Sequence, residues 1–309
     1  MQQLNNGLIQ MRYYDTYSVA HVVHNTLARE AVDFMPTVYE FFGDQYCRFI
    51  EPYRRWSSLH QYIFFALEVL EREQIPKIIP RELRNVDELP PWAQHEGILP
   101  IEDALRAHGI SHTSFRSWAQ HHGVELDEAG EDHFCEYHDD LNVLEIVESG
   151  RKVGVDGPRI KLYEHITEEV FFLMFPNRGC LLELNDWIAG EIRDVRIAEL
   201  HDDERRRFAS DGVLKRVSPP QWARRAVYFR ERGRCAFCGV DLSGLSSVYS
   251  SKHFDHIVPL AQGGINDVTN LQLLCGNCNL RKGHGEAQTS PFVERWFDPE
   301  ADGDARHPT

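Results

Sequence analysis

Two cysteine pairs, Cys235-Ala-Phe-Cys238 and Cys275-Gly-Asn-Cys278, constrain the folding of this chain more than any other feature. A two-residue gap lets both thiolates of a pair face one ion. Two pairs complete a tetrahedral zinc shell with no open position, which is the arrangement of a structural site and not of a catalytic one. The metal would then hold the intervening segment together. Two other readings compete. A pair of disulfides needs an oxidising compartment, and the start MQQLNNGLIQMRYYD has neither the basic nor the apolar region of a secretion signal, so a cytoplasmic location is expected. A redox Cys-x-x-Cys ordinarily occurs once, at a strand-to-helix turn, whereas here two copies bracket a polar loop. The spacing favours zinc. Cys47, Cys135 and Cys180 are scattered and read as small buried hydrophobes.

Between and just beyond the pairs, Phe254 to Lys282 reads FDHIVPLAQGGINDVTNLQLLCGNCNLRK. Lys252 to Pro259 alternates and is β-branched enough for a strand, which Pro259 ends because proline cannot donate to a ladder. Asp255 and His256 are adjacent on it, so their side chains are expected on opposite faces. Gln262-Gly263-Gly264 reads as a turn, and Leu271, Leu273 and Leu274 as an apolar patch leading into the second pair. Asn279 to Lys282 is expected to form a short helix closing over a strand pair. A hairpin followed by a helix would bring Asp255 and Asn279 together as hard oxygen ligands, a donor set that suits magnesium or manganese better than zinc. Arg281 and Lys282 are candidate phosphate contacts or, equally, a solvated face.

In order and spacing, these residues resemble the HNH endonucleases of the ββα-metal type, in the four-cysteine subgroup. His256 matches the first His of the family pattern, Asn270 the central Asn, and Asn279 stands where the final His or Asn falls. Asp255 matches the acidic metal ligand that precedes the base in many members. Asn279 in place of a final His resembles the magnesium-using members. His284 lies five residues beyond Asn279, near where some relatives carry a further His, and enters as an additional candidate ligand. The resemblance spans Pro220 to Trp296, a minor part of the chain.

That resemblance implies hydrolysis of phosphodiester bonds with one divalent ion, leaving a 5′-phosphate and a 3′-hydroxyl. DNA is the usual target of the family and RNA the alternative. It makes His256 the general base, a role that suits an imidazole because its ordinary pKa lies near neutrality. It makes Asp255 and Asn279 the ligands of a magnesium or manganese ion, and Asn270 the residue that keeps the loop aimed. Two alternatives stand beside it. One is a nuclease subunit of a prokaryotic defence or mobile-element system controlled by a partner. The other is an inert zinc-stabilised module that only binds nucleic acid.

Charge divides the chain. From Arg205 to Arg295 there are fourteen Lys or Arg against seven Asp or Glu, while the whole chain carries −15, so the remainder sums to −22. Arg224, Arg225, Arg230 and Arg234, interleaved with Trp222, Tyr228 and Phe229, suit contact with backbone phosphates. The competing view is a helix over Pro220 to Arg232 whose apolar face packs on the zinc module while its arginines are solvated; both can hold, since a helix has two faces. An acidic body would repel nucleic acid from everywhere except this patch. No apolar run approaches the roughly eighteen residues that span a bilayer, so no membrane role is expected.

A chain of 309 residues admits two domains or more. The expected divisions are a helical region over 1–98, a helical or mixed region over 99–204, the nuclease-like domain over 205–297 and a disordered tail over 298–309. Val19 to Phe42 is helically periodic up to a break at Pro36. Ser57 or Ser58 is placed to cap a helix burying Leu59, Tyr62, Ile63, Ala66, Leu67 and Leu70. Pro76, Pro80, Pro90 and Pro91 mark Ile75 to Pro100 as a connector. Within 101–126, two short helices around Gly109, the second capped by Ser111 and carrying Phe115, Trp118 and Ala119, resemble a helix-turn-helix. The second helix exposes only Arg116 for phosphate, so a plain helical hairpin is favoured over a DNA reader. The acidic stretch Glu125 to Glu148, with His133 and His138, reads as a solvated loop and helix face in preference to a metal site. Leu162 to Phe175 and Leu181 to Ile197 suggest two amphipathic helices joined at Pro176 to Gly179. The expected architecture is a mainly α amino-terminal region, available to dock a protein partner, followed by a small α+β ββα-metal domain stapled by zinc.

Overall fold

A computed structural model describes residues 14–28, 39, 41–42, 46–82, 99–125, 129, 131–148, 151–244, 252–283 and 285–290. The chain divides into two compact units, Met1–Phe41 with Leu59–Met174, and Phe42–Ser58 with Phe175–Thr309. His284 and the tail 298–309 lie outside the described residues. Among the described residues no helix is long and apolar enough to cross a membrane.

The first unit is helical with one hairpin. Helix α1 (Thr16–Leu27) starts at Asp15, whose carboxylate accepts from Ser18 N at 2.9 Å, and it buries Val19, Val23 and Leu27. Helix α2 (Ser58–Glu82) buries Leu59, Tyr62, Ile63, Ala66, Leu67 and Leu70, the face that three- and four-residue spacing dictates. It then continues through Pro76 and Pro80, where a connector was expected. The two prolines stand four residues apart, so the bonds they forfeit fall on one side of the helix and the other rows survive.

Helices α3 (Pro100–Ala107) and α4 (Phe115–His122) form the expected pair, with Gly109 at φ 67° in the turn. Buried Glu102 ties them: its carboxylate accepts from Leu99 N at 2.9 Å and Phe115 N at 3.0 Å. The cap of α4 is Ser114, which accepts from Ser117 N, and not Ser111, because residues 110–114 are non-helical and delay the helix start.

Helix α5 (Glu131–Asp140) leads into strands β1 (Val143–Glu148) and β2 (Arg151–Asp156), an antiparallel hairpin where a solvated loop and helix face was expected. Glu145 and Glu148 masked the β-branched Val143, Ile146 and Val147. Helix α6 (Pro158–Met174) closes the unit on Leu162, Tyr163, Ile166 and Val170. His138 is buried and not solvated: its Nε2 lies 3.8 Å from the buried Glu71, which also accepts from Tyr14 at 2.6 Å, from Arg159 at 2.8 Å and from Tyr163. Of the three cysteines expected to be buried, only Cys180 is; Cys47 sits in an exposed turn and Cys135 on the outer face of α5.

The second unit begins before residue 205. Helix α7 (Arg178–Asp194), capped by Asn177, buries Leu181, Leu184, Ile188 and Ile192 within it. After a short helix α8 (Asp202–Arg205) come a small hairpin, β3 (Phe208–Ser210) with β4 (Val213–Leu214), and helix α9 (Gln221–Arg230). Strands β5 (Lys252–His256) and β6 (Leu271–Cys275) pair antiparallel, with Asp255 opposite Gln272 and His256 opposite Leu271, and helix α10 (Gly276–Lys282) follows directly. Strand β5 stops at His256, short of Pro259, because the amides of Ile257 and Val258 turn to Asn270 instead of extending the ladder.

Candidate active site

The four cysteines come together as their spacing requires, with all four sulfurs within 4.8 Å of one another. Among the described residues this is the only cluster of three or more metal-ligating side chains. The first pair sits on a tight turn, in which Gly239 N donates to Cys235 O and Cys235 N to Val240 O, and Ala236 N stitches it to Leu273 O of β6 at 2.8 Å. The second pair opens α10, where Cys275 is the N-cap and its sulfur accepts from Cys278 N at 3.5 Å. Burial pushes the Cys238 thiol up to about 12 and raises Cys278. Burial also opposes ionisation of Cys235, but the backbone N–H groups of Cys275, Cys238 and Phe237 outweigh it and bring that thiol to about 7. Four sulfurs this close cannot all ionise alone, and a soft dication removes that conflict. The donor set and its closure fit a structural zinc.

Strand β5 and helix α10 position the other polar groups. Asp255 and Asn279 line one open cleft of about 520 Å³, together with Arg216, Ser218, Pro219, Arg224, His253 and Phe254. His253 was not anticipated, although alternation on β5 puts 253 and 255 on one face. A smaller cleft of about 250 Å³ holds His256 with Asp255, Arg216, Pro259 and Gly283 among its walls. The opposed faces expected for Asp255 and His256 therefore do not keep them apart, because both reach this second cleft where the strand ends.

The imidazole of His256 is 2 % exposed, and neither ring nitrogen has a hydrogen-bond partner. Asn266 lies near enough to influence the ring. Its side chain donates to Lys215 O at 2.9 Å and accepts from Val217 N at 3.1 Å, and its polar contact with the ring partly opposes the effect of burial. Burial first, then the positive charge of Arg216, lowers the His256 pKa to about 4, against a partial counter-effect of Asp255. The ring is neutral at physiological pH and has a free lone pair, the state a proton acceptor needs.

Asn270 is fully buried and frames the loop that follows His256. Its side chain accepts from Val258 N at 2.8 Å and donates to Val258 O at 3.0 Å and Ile265 O at 2.9 Å, while its carbonyl accepts from Ile257 N at 2.7 Å. Two glycines let that loop close. A Cβ on Gly264 would lie 2.0 Å from Val258 O, and Gly263, at φ +81°, would place one 2.5 Å from Ala189 O of α7. Asp267, whose carboxyl burial pushes up, accepts from Ser58 N at 3.2 Å and Thr269 N at 2.9 Å, bracing the loop from the 42–58 segment.

The basic residues separate into two groups. Arg224 lines the larger cleft, and Arg225 and Arg281 are exposed, Arg281 also donating to Cys278 Sγ at 3.0 Å. Arg234 is half-buried and donates to Gly239 O at 3.2 Å. Arg230 and Lys282 are not on a solvated face, with side chains only 1 % exposed. Arg230 follows Ala223 and Val227 on the buried stripe of α9, where it pairs with Glu231 at 2.7 Å and stacks over Phe175. Lys282 lies three residues after Asn279 on α10 and turns inward onto Asp255 at 3.0 Å and His256 O at 2.7 Å.

Residues 235–285 match the family model described as HNH endonuclease, a segment running from the first cysteine of the cluster to just beyond α10. No curated protein and no solved structure matches the chain. The matched segment and the four-sulfur cluster support a nuclease domain, acting on nucleic acid and carrying a structural zinc.

Proposed function

We propose that the second unit is a metal-dependent endonuclease that hydrolyses phosphodiester bonds in DNA, with His256 as its general base. The observation that carries this reading is a buried, neutral imidazole without hydrogen-bond partners, opening beside Asp255 inside a segment that matches a nuclease family. A purely structural histidine would have its ring nitrogens satisfied.

Asp255 and Asn279 would hold a magnesium or manganese ion, since they bring a carboxylate and a carboxamide oxygen to the larger cleft. The fit rests on the carboxylate: Gln272 and Lys282 both bond its Oδ2 and leave Oδ1 uncommitted to either. When bound, the ion supplies charge stabilisation to the phosphate and the departing sugar oxygen. His256 accepts the proton of the attacking water at a ring nitrogen. The water oxygen bonds to phosphorus as the bond to the 3′ oxygen breaks, and that oxygen takes a proton from solvent, leaving a 5′-phosphate and a 3′-hydroxyl. Asn270 holds the backbone beyond His256, so the ring keeps its aim, and Arg224 at the cleft wall offers a charge to flanking phosphates.

Incubation of the full chain with supercoiled plasmid, linear DNA and RNA, in magnesium or in chelator, tests the proposal. Magnesium-dependent nicking of plasmid is expected, reduced on the order of 10²–10⁴-fold by His256→Ala. Equal cutting by that variant would remove His256 as base, and cleavage of RNA alone would overturn the substrate.

A further inference from the structure

Among the residues lining the two clefts, Asp255 and Arg216 are the pair common to both. Arg216 precedes the segment that matches the nuclease family, on the stretch that leaves β4. Its guanidinium is exposed and makes no hydrogen bond or ion pair among the described residues. The backbone around it is held firmly. The buried Asn266 side chain bonds Lys215 O on one side and Val217 N on the other, a clasp across the arginine. Tyr53 reinforces the clasp, donating its hydroxyl to Val217 O at 3.3 Å and its amide to Asn266 O at 2.7 Å. Asn266 belongs to the same loop that Asn270 ties to the end of the His256 strand. The chain thus fixes the root of a free cationic side chain to the frame that aims the imidazole.

We infer that Arg216 is a catalytic residue that grips the phosphate undergoing cleavage, and that Asn266 is the positioning residue that holds it there; this rests on the nuclease reading above. A guanidinium presents a planar fork of donors that matches two non-bridging oxygens of a phosphodiester. Negative charge on those oxygens grows as water adds to phosphorus, so the contact strengthens toward the transition state and raises kcat more than affinity. A cation that only tracked the backbone would act on affinity alone.

The test compares Arg216→Ala, Arg216→Lys and Asn266→Ala with the unaltered chain in three measurements: magnesium-dependent plasmid nicking, affinity for a duplex oligonucleotide in chelator across a salt series, and thermal melting. Arg216→Ala should lower kcat by roughly 10²–10³-fold, the loss typical of removing one transition-state donor. Its salt slope should fall by about one, with less than about a tenfold loss of affinity. Melting should be unchanged. Arg216→Lys should recover part of kcat, because it restores charge without the fork, and Asn266→Ala should lower kcat without changing the salt slope. Unchanged kcat in Arg216→Ala, or a loss confined to affinity, overturns the inference while leaving the nuclease reading intact. If the unaltered chain cuts nothing, the nuclease reading fails and the catalytic role with it. The oligonucleotide series then reports separately whether Arg216 touches phosphate at all.

Discussion

Lys282 Nζ lies 3.0 Å from Asp255 Oδ2, and the lysine side chain is 1 % exposed. The same ammonium donates to His256 O at 2.7 Å, so one buried cation joins the carboxylate and the backbone of the imidazole proposed for catalysis. It holds positive charge against the carboxylate that would receive a divalent ion. Such an ammonium would compete with a divalent ion for that carboxylate.

Replacing Lys282 by Met keeps the stem and removes the charge. Breaking a buried pair by removing one partner costs about 3 kcal/mol or more. The variant should therefore melt below the unaltered chain in chelator, and magnesium should raise its melting temperature by a larger increment. Equal increments in both proteins would show that the ammonium does not compete with the ion.

Zinc content should be one ion per chain and should vanish in Cys275→Ser, which removes a thiolate ligand while the serine hydroxyl can still cap α10. A structural zinc contributes on the order of 10 kcal/mol to folding of its site. Elemental analysis and melting should therefore fall together, and a Cys275→Ser protein with unaltered melting would contradict a structural metal.

Gly264→Ala tests the loop independently of any metal. The new Cβ would meet Val258 O, a main-chain atom that cannot swing aside. Destabilisation of about 3 kcal/mol or more is expected, read as a lower denaturation midpoint. An alanine variant as stable as the original would mean that the loop has room the structure does not show.

His256 sets a pH dependence of defined sign. Its pKa in the folded protein is about 4, below its ordinary 6.5. Between those values the unfolded chain binds the proton and the folded one does not, so this group's contribution to stability falls as pH drops from about 6.5 to 4 and levels off below. Denaturation midpoints of His256→Ala should lose that slope. The same shift keeps the base unprotonated through neutrality, so nicking should hold its rate from pH 8 to 6, and a fall centred on 6.5 would refute it.

Local spacing made the site legible where the determinants are close in sequence. The cysteine pairs, the strand carrying Asp255 and His256, and the helix that carries Cys278 and Asn279 follow from gaps of one to four residues. Lys282 and Arg230 carried the same kind of signal, since Asn279 and Lys282 share a helix face and Ala223, Val227 and Arg230 share a buried stripe, but their charge suggested solvent. In sequence Arg216 reads only as one member of a basic run suited to phosphate; its place beside Asp255 depends on Asn266, fifty residues away in the chain. The hairpin at Val143–Glu148 was hidden by its own glutamates, and the membership of 42–58 in the second unit rests on contacts no spacing encodes.

That last membership has a consequence for any attempt to isolate the second unit. The chain enters the second unit at Phe42, leaves it at Ser58 and returns at Phe175, and the early visit supplies Tyr53 to the Asn266 clasp and Ser58 to Asp267. A fragment starting at Phe175 would lack Tyr53 and Ser58, so the second unit is complete only with the 42–58 segment.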